Sequence, residues 1–324
     1  MIKSGWRVIV SRMSGGGKAL ADWPRISKLL NRAGVEYSER ITERSYHAIE
    51  LAEEAVAEGY RKILVLGGDG ALHEVINGLF MQEEVSPSEI TLGLITVGSG
   101  NDWARMHNIP KNYKAAVDII AKADKYVRYQ DVAKVSTLMD GKPYCRYMIN
   151  IGGLGFDADV CRRFDLAKAR GKASDRQYYK CLMNGFLFYR CLKFKIRVDG
   201  HLFFEGPALS VAMGIGKYCG GGMMQTPDAI IDDGLINLTV VKKFSKLKFL
   251  EKIPSLFKGT IYQYKDQVVH TMGKTLEIEA APYSFIEVDG ETVGRTPVKV
   301  EVIHSAVKVV SCMREPAAQA AASE

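Results

Sequence analysis

The sequence lacks the features that would place the protein in a membrane, in a secretory pathway or among disulfide-rich folds. No apolar run in its 324 residues approaches the roughly 18–20 residues that span a bilayer. Its first residues lead directly into a strand-like segment, without the apolar core and cleavage site of a signal peptide. The six cysteines stand at irregular spacings with no CxxC pair, so neither a zinc site nor a redox pair is indicated. We therefore expect a cytoplasmic protein.

Neither acidic nor basic residues are in large excess. The net charge is +7, with 47% hydrophobic and 25% charged residues, which is typical of a soluble globular protein. The mild basic excess favours acidic partners such as a nucleotide, a nucleic acid or an anionic membrane surface. A chain of this length exceeds one ordinary core, so two domains are expected.

The segment 63–80 joins a buried strand to a helix through a glycine turn. Its first four residues are apolar and branched, as in a strand covered on both faces. Gly67-Gly68-Asp69-Gly70 ends the strand, and apolar residues then resume at helical spacing. Such a turn holds phosphate, because glycines allow a close approach and the first helical amides attract an anion. Asp69 fits there if it holds Mg²⁺ or another part of a nucleotide through water; a tight turn without a ligand is the alternative.

Further candidate ligand contacts follow neighbouring strands. Gly98-Ser99-Gly100-Asn101-Asp102 ends the strand predicted over 91–97, and Thr42 follows the strand predicted over 36–41. The glycine-rich residues 14–18 do not have P-loop spacing, so a phosphate contact and a flexible turn are equally favoured there. Strands alternate with helices over residues 6–129, which indicates a doubly wound α/β domain with these turns at one edge of its sheet.

From about residue 131 the pattern changes to short apolar or alternating runs. Eight candidate strands with intervening turn signals predict an antiparallel β-sandwich or barrel, with a helical insertion over 164–191. The predicted domains are 1–130 and 131–305, a strand over 306–313 returns to the first domain, and residues 314–324 form a disordered tail. The candidate strands cover 132–138, 144–151, 193–198, 208–213, 235–241, 275–280, 285–288 and 298–303.

Four segments of this second half are chemical candidates. Asp228, Asp232 and Asp233 cluster before a strand, which suits Mg²⁺ or Ca²⁺ or a plain Asp-Gly turn. Asp289-Gly290-Glu291 is either a base and a metal ligand or a polar hairpin tip. Residues 153–158 formally match GxGxxA, although their position in the β-rich half disfavours a dinucleotide site. The basic amphipathic segment 242–258 either lies on an anionic membrane or is a connecting helix with a solvated basic face.

Taken together, four motifs resemble the diacylglycerol kinase catalytic family, which includes sphingosine kinases and soluble bacterial lipid kinases. They occur in the family's order and extend over nearly the whole chain. The first departs modestly from the family, since Ala71 and His73 replace the usual Thr and Asn. The motifs are Gly67-Gly68-Asp69-Gly70 with Glu74-Val75-Ile76-Asn77-Gly78, Gly98-Ser99-Gly100-Asn101-Asp102, Asp232-Asp233-Gly234 and Val288-Asp289-Gly290-Glu291.

The resemblance implies an ATP cleft between the α/β domain and the sandwich. Asp289 would take the proton of a lipid hydroxyl, with Glu291 orienting it or meeting Mg²⁺, and the two roles could be exchanged. A structural Mg²⁺ would be held by Ile230, Asp233 and Leu235. The expected nucleotide contacts are Thr42, Gly67, Gly68, Asp69, Gly70, Ala71, Leu72, His73, Ser99, Asn101 and Asp102.

The expected activity is transfer of the γ-phosphoryl of ATP, with Mg²⁺, to a hydroxyl of a membrane lipid such as diacylglycerol or a sphingoid base. The alternatives are an NAD kinase-like enzyme and a nucleotide-sensing binding protein without catalysis. We expect peripheral, partly electrostatic contact with the membrane that presents the lipid, and no nucleic-acid partner. A homodimer is left open.

Overall fold

The computed structural model describes residues 2–98, 100–170, 175–243 and 246–313. Its first part is a parallel sheet in the order β2-β1-β3-β4, with helices between successive strands. The strands are β1 (Lys3–Val10), β2 (Tyr37–Ile41), β3 (Tyr60–Gly67) and β4 (Thr91–Thr96), and the helices are α1 (Lys18–Arg32), α2 (His47–Ala57), α3 (Asp69–Met81), α4 (Asp102–Met106) and α5 (Tyr113–Ile120).

Helices cover both faces of this sheet, which explains why its strands are continuous apolar runs. Residues 63–66 of β3 have no exposed surface, because their side chains alternate between two cores. One core is closed by α2 and α3 and the other by α1 and α5. This is the doubly wound arrangement that the sequence predicts, with all four carboxyl ends at one edge.

The second part is β-rich and largely antiparallel, and its strands enclose a separate apolar core. A pair of helices is inserted between its third and fourth strands, and within the described ranges no helix is long and apolar enough to cross a membrane. Its elements are β5 (Val127–Met139), β6 (Lys142–Met148), β7 (Ile151–Gly155), α6 (Phe156–Ala169), α7 (Asp175–Phe188), β8 (Leu192–Val198), β9 (His201–Gly214), β10 (Tyr218–Cys219), β11 (Met223–Met224), β12 (Ile236–Lys242), α8 (Lys246–Lys258), β13 (Val268–Gly273), β14 (Thr275–Ala281), β15 (Phe285–Val288) and β16 (Glu291–Val310).

The long strand β16 belongs to both parts. Its first half pairs with β14 and β15, and its end pairs in parallel with β4 at Lys308 and Val309. Strand β5 pairs with β16 along most of its length, with a register shift between Ile303 and Val307. The buried carboxylate of Asp131 holds this bulge, since it accepts hydrogen bonds from Ser305 N at 2.7 Å and from Gly234 N at 2.6 Å. The two halves are therefore one continuous hydrogen-bonded structure.

The predicted fold class is confirmed: an α/β domain is followed by a β-rich, sandwich-like domain. Three element predictions are wrong. The separate strands expected over 298–303 and 306–313 are parts of one strand, β16. The single strand expected over 144–151 is divided into β6 and β7, because the backbone amides at 149–151 turn toward a carboxylate instead of continuing the ladder. The helical insertion begins at Phe156 and not at residue 164. The domain limits remain predictions, and the predicted tail over 314–324 lies outside the described residues.

Candidate active site

The glycine turn after β3 is closely packed by its neighbours. A Cβ atom on Gly67 would lie 2.7 Å from the Cβ of Ala71 and 3.1 Å from Ser14 Oγ, so only glycine fits there. The position of a Cβ on Gly68 lies 3.7 Å from Asn101 Oδ1. The turns after β3 and β4 therefore face each other, as predicted from their common sheet edge.

Asp69 connects these two turns. Its carboxylate accepts hydrogen bonds from the backbone N–H of Asp102 at 3.1 Å and of Trp103 at 3.2 Å. Burial raises the pKa of Asp69 to about 6, and the nearby charge of Asp102 adds to this, although the two backbone hydrogen bonds act in the opposite direction. Asp69 thus orders the start of α4, and burial makes its proton harder to remove than that of an ordinary Asp.

Two oxygen atoms beside Asp69 have no protein donor. Among the described residues, Asn101 Oδ1 and Asp102 Oδ1 are buried without a hydrogen-bond partner. The nearest cation to Asp102 Oδ1 is Arg105 Nε, at 3.9 Å. Buried acceptors are nearly always satisfied in folded proteins, so an orphaned pair indicates a missing donor or cation. A cavity of about 330 Å³ is lined by Asn101, Arg105 and Lys111.

The loop after β1 completes this edge of the sheet. Thr42 is buried, and its hydroxyl accepts a hydrogen bond from Arg12 N at 2.9 Å, which fixes the start of the glycine-rich residues 14–18. The position of a Cβ on Gly15 lies 3.3 Å from Val97 Cγ1, so this loop reaches across to the turn after β4. The loop after β1 and Thr42, which follows β2, therefore lie at the sheet edge that carries Gly67, Asp69 and Asn101.

Other predicted contact residues are arranged differently. The side chains of Leu72 and His73 are buried beneath the turn, so a ligand could meet only the main chain at these positions. Ala71 is also buried and packs against Gly67. Ser99 lies outside the described residues.

The carboxylate of Asp289 is fully engaged by protein groups, three from its own half and one from α3. It accepts hydrogen bonds from Ile149 N at 3.1 Å, Asn150 N at 2.9 Å and Ile151 N at 3.2 Å. Its Oδ2 also lies 3.1 Å from His73 Nδ1 on α3, and only 3% of the side chain is exposed. The prediction that Asp289 is the base is therefore not favoured, because both of its oxygens are already used.

Glu291 lies beside the glycine turn that follows β3. Its Oε1 lies 3.7 Å from the position that a Cβ would take on Gly70, at the N-terminus of α3. The side chain is 26% exposed, and among the described residues it pairs with Lys168, whose Nζ lies 3.3 Å from Oε1. Asp289 and Gly290 both have positive φ, which forms the tight turn that aims Glu291 at α3.

A glycine strap of residues 218–224 crosses from the second half to Asp102. Asp102 Oδ2 accepts a hydrogen bond from Gly221 N at 2.7 Å, and Arg105 Nη1 donates to Gly221 O at 3.2 Å. Gly222 has a φ of 114°, a conformation that favours glycine, and a Cβ there would also displace the guanidinium of Arg105. Our sequence reasoning did not identify this strap, although three consecutive glycines at 220–222 are a visible signal.

Two buried acids also lie behind the turn that carries Glu291. A Cβ on Gly153 would lie 2.8 Å from Glu287 Oε1 and 3.1 Å from the Cβ of Asp157, so this glycine makes room for both acids. Burial raises the pKa of Asp157 to about 6 and that of Glu287 well above its ordinary value. Glu287 accepts a hydrogen bond from Gly290 N at 2.9 Å and so supports the turn. The GxGxxA pattern at 153–158 thus has a packing explanation.

The predicted structural metal site lies in the turn before β12, away from these residues in the sequence. Asp233 Oδ1 accepts a hydrogen bond from Leu235 N at 2.9 Å, and Ile230 is half exposed. Within the described ranges, no group of three or more His, Cys, Asp or Glu side chains is arranged to hold a metal. Because the predicted set uses main-chain oxygens as well, it remains a prediction.

The different surroundings of the two predicted catalytic acids lead to a stability test. We expect Asp289→Asn to lower the free energy of unfolding by about 1–3 kcal/mol, since an amide cannot accept all three backbone hydrogen bonds. Glu291→Gln should change it by less than about 0.5 kcal/mol, as for other partly exposed positions. Urea-induced unfolding measures both. Equal losses in the two variants would contradict the assigned difference.

Comparison with known proteins agrees with this architecture. The model of the diacylglycerol kinase catalytic domain matches residues 5–135, and that of the YegS C-terminal NAD kinase beta sandwich-like domain matches residues 151–311. A diacylglycerol kinase from Bacillus anthracis str. Sterne has a similar structure, with a TM-score of 0.71 and 24% identity over 95% of this chain and 96% of that one. An NAD kinase from Archaeoglobus fulgidus in complex with ATP shares the fold at a TM-score of 0.50 and 12% identity, over 94% of this chain and 93% of that one.

Relatives of higher identity cover almost the whole sequence. The diacylglycerol kinase of Staphylococcus aureus (strain MRSA252) is 30% identical over 295 residues, which is 90% of this chain and 87% of that protein. The diacylglycerol kinase of Mycobacterium tuberculosis (strain ATCC 25618 / H37Rv) is 28% identical over 304 residues, 93% of each chain. With both halves of the fold matched, the chain belongs to the diacylglycerol kinase family.

Proposed function

We propose that the protein is an ATP-dependent lipid kinase that transfers the γ-phosphoryl group to a hydroxyl of a membrane lipid such as diacylglycerol or a sphingoid base. The observation that carries this proposal is the position of Glu291, which the sandwich presents at the N-terminus of α3 beside Gly70. A candidate base of the β-rich half thus lies beside a glycine turn of the α/β half that is suited to bind phosphate. The names of the bacterial relatives support a lipid acceptor.

The nucleotide would lie across the loops that follow β1, β3 and β4. The first amides of α3 would bind phosphate oxygens, because they lack intrahelical partners and carry partial positive charge. The cavity beside Asn101, with Arg105 and Lys111, suits another part of an anionic ligand. Thr42 would contribute by fixing the loop after β1.

The buried oxygens beside Asp69 fit a hard cation. Asp69, Asn101 Oδ1 and Asp102 Oδ1 could provide oxygen ligands, and the last two accept no hydrogen bond from the described residues. Mg²⁺ binds such oxygens together with water and substrate phosphates, and when bound it would neutralise charge on the phosphate chain. Separately, Ile230, Asp233 and Leu235 remain our proposed structural Mg²⁺ site.

We assign the base to Glu291 and a positioning role to Asp289. A lipid hydroxyl must lose its proton as the phosphoryl group arrives, and a placed carboxylate can supply roughly 10²–10⁴ in rate. Glu291 retains exposed surface facing the cleft, whereas the oxygens of Asp289 are held by backbone amides. Asp289 instead fixes the turn that aims Glu291.

Labelled ATP mixed with a total lipid extract tests the activity directly. We expect a labelled phospholipid product, whose identification gives the acceptor, and loss of labelling by at least roughly 10²-fold in Glu291→Gln. Parallel reactions with NAD, and with no acceptor, address the NAD kinase and the binding-protein alternatives. Labelled NAD without labelled lipid would favour the first alternative, and nucleotide binding without any transfer would favour the second.

The raised pKa of Asp69 leads to a pH-dependent prediction. Its folded-state pKa of about 6 exceeds the ordinary 3.8, so its contribution to stability is complete below pH 4 and is lost as the pH rises through about 6. Asp69→Asn removes this titration. In metal-free buffer, the melting temperature of the variant minus that of the wild-type protein should therefore increase from pH 5 to pH 8, while transfer activity is abolished. A constant difference would contradict burial as the cause.

Membrane contact is proposed to be peripheral and partly electrostatic. The segment 242–258 contains six lysines among apolar residues, and each lysine near an anionic surface is worth roughly 1 kcal/mol. Salt screens this attraction. Activity on anionic vesicles should therefore fall as salt rises from low to several hundred millimolar, and activity on neutral detergent micelles should change much less. Salt-independent vesicle binding would argue against the proposal.

A further inference from the structure

The placement of Glu291 raises an electrostatic problem for the proposed kinase. A carboxylate beside the N-terminus of α3 would also lie beside the γ-phosphate of ATP. Two neighbouring negative groups repel each other strongly where water is partly excluded. This inference rests on the proposed function, because it assumes that the terminal phosphate binds at the turn around Gly70. The protein therefore needs a cation near Glu291.

Lys168, at the end of α6, is the nearest candidate. Its Nζ lies 3.3 Å from Glu291 Oε1 and 3.1 Å from Asp165 Oδ1. Burial alone would lower the pKa of Lys168, but the charges of Glu291 and Asp165 outweigh it and the pKa is raised. The lysine is thus held as a cation between two carboxylates of the cleft.

Helix α6 is fixed to the turn of Glu291 by two further contacts. Asp165 Oδ2 accepts hydrogen bonds from Thr292 Oγ1 at 2.7 Å and from Thr292 N at 3.2 Å. Cys161 Sγ donates to Gly290 O at 3.1 Å. These contacts lie on either side of Glu291 in the sequence, so the helix and the turn form one unit that holds Lys168 in place.

We propose that Lys168 is a positioning residue whose ammonium group allows the Glu291 carboxylate and the γ-phosphate to be neighbours. It neutralises Glu291 before the nucleotide binds, so that the terminal phosphate meets a compensated carboxylate. A diphosphate lacks the group that would meet Glu291. The effect of Lys168 should therefore be specific to the triphosphate.

Nucleotide affinity measured without lipid tests this role. In Lys168→Met, the affinity for a non-hydrolysable ATP analogue should fall by about tenfold, equivalent to about 1.4 kcal/mol, while the affinity for ADP stays within about twofold. Lys168→Arg should retain the wild-type preference because it keeps the charge. Lys114→Met, which removes an exposed lysine of α5, should change neither affinity.

A second substitution separates this role from a merely structural one. If Lys168 acts by neutralising Glu291, then Glu291→Gln combined with Lys168→Met should restore the affinity for the triphosphate, since the repelling charge is gone. Equal losses for ATP analogue and ADP, or no restoration in the double variant, would overturn the proposal. Lys168→Gln, with its melting temperature compared to that of the wild-type protein, replaces Lys168→Met if that variant fails to fold.

The outcome is independent of the acceptor lipid. A protein that shows the predicted nucleotide pattern but labels no lipid would retain this inference and lose the proposed activity. A protein that labels lipid while Lys168→Met binds ATP analogue and ADP as the wild type does would retain the activity and lose this inference.

Discussion

One buried carboxylate, that of Asp289, connects the two halves of the molecule at the cleft. It draws three backbone amides at 149–151 out of strand pairing and contacts His73 on α3. Asn150 then donates a hydrogen bond from its side chain to the strap at Tyr218. The strap reaches Asp102, which returns to α3 through the carboxylate of Asp69. A ring of hydrogen bonds thus surrounds the cleft, and each member fixes the next.

The acids of this ring and those beside it differ in chemistry because their surroundings differ. Asp289 is saturated by donors, and its charge is used to hold a turn. Asp69 and Asp157 are buried with fewer donors, so the pKa of each is raised to about 6. Glu291 keeps part of its surface exposed and has a lysine as its partner. Identical carboxyl groups thus differ in charge and accessibility because burial and hydrogen bonding differ from one position to the next.

The strand–glycine–helix units could be predicted from the sequence because their signals are local. Gly67 to Gly70 and Gly98 to Asp102 follow continuous apolar strands, and parallel topology then brings them to one edge. The roles within Asp289-Gly290-Glu291 could not be predicted in this way, since residues more than a hundred positions distant decide which acid is saturated. The same holds for the strap, which meets Asp102, and for Lys168, which meets Glu291, because each pair is more than a hundred positions apart in the chain. His73 stands where the family motif usually has Asn, and in this structure its Nδ1 contacts Asp289.

The course of β16 has a consequence for how the chain folds. Strand β4 is covered on one side by β3 and on the other by the last residues of β16. During synthesis, more than two hundred residues separate the appearance of β4 from that of its second partner. Until then an apolar strand keeps an open edge, which is a template for pairing with another chain. A nascent chain that stops before residue 308 would therefore expose this edge and tend to aggregate, so completion of the first domain depends on the last strand to be made.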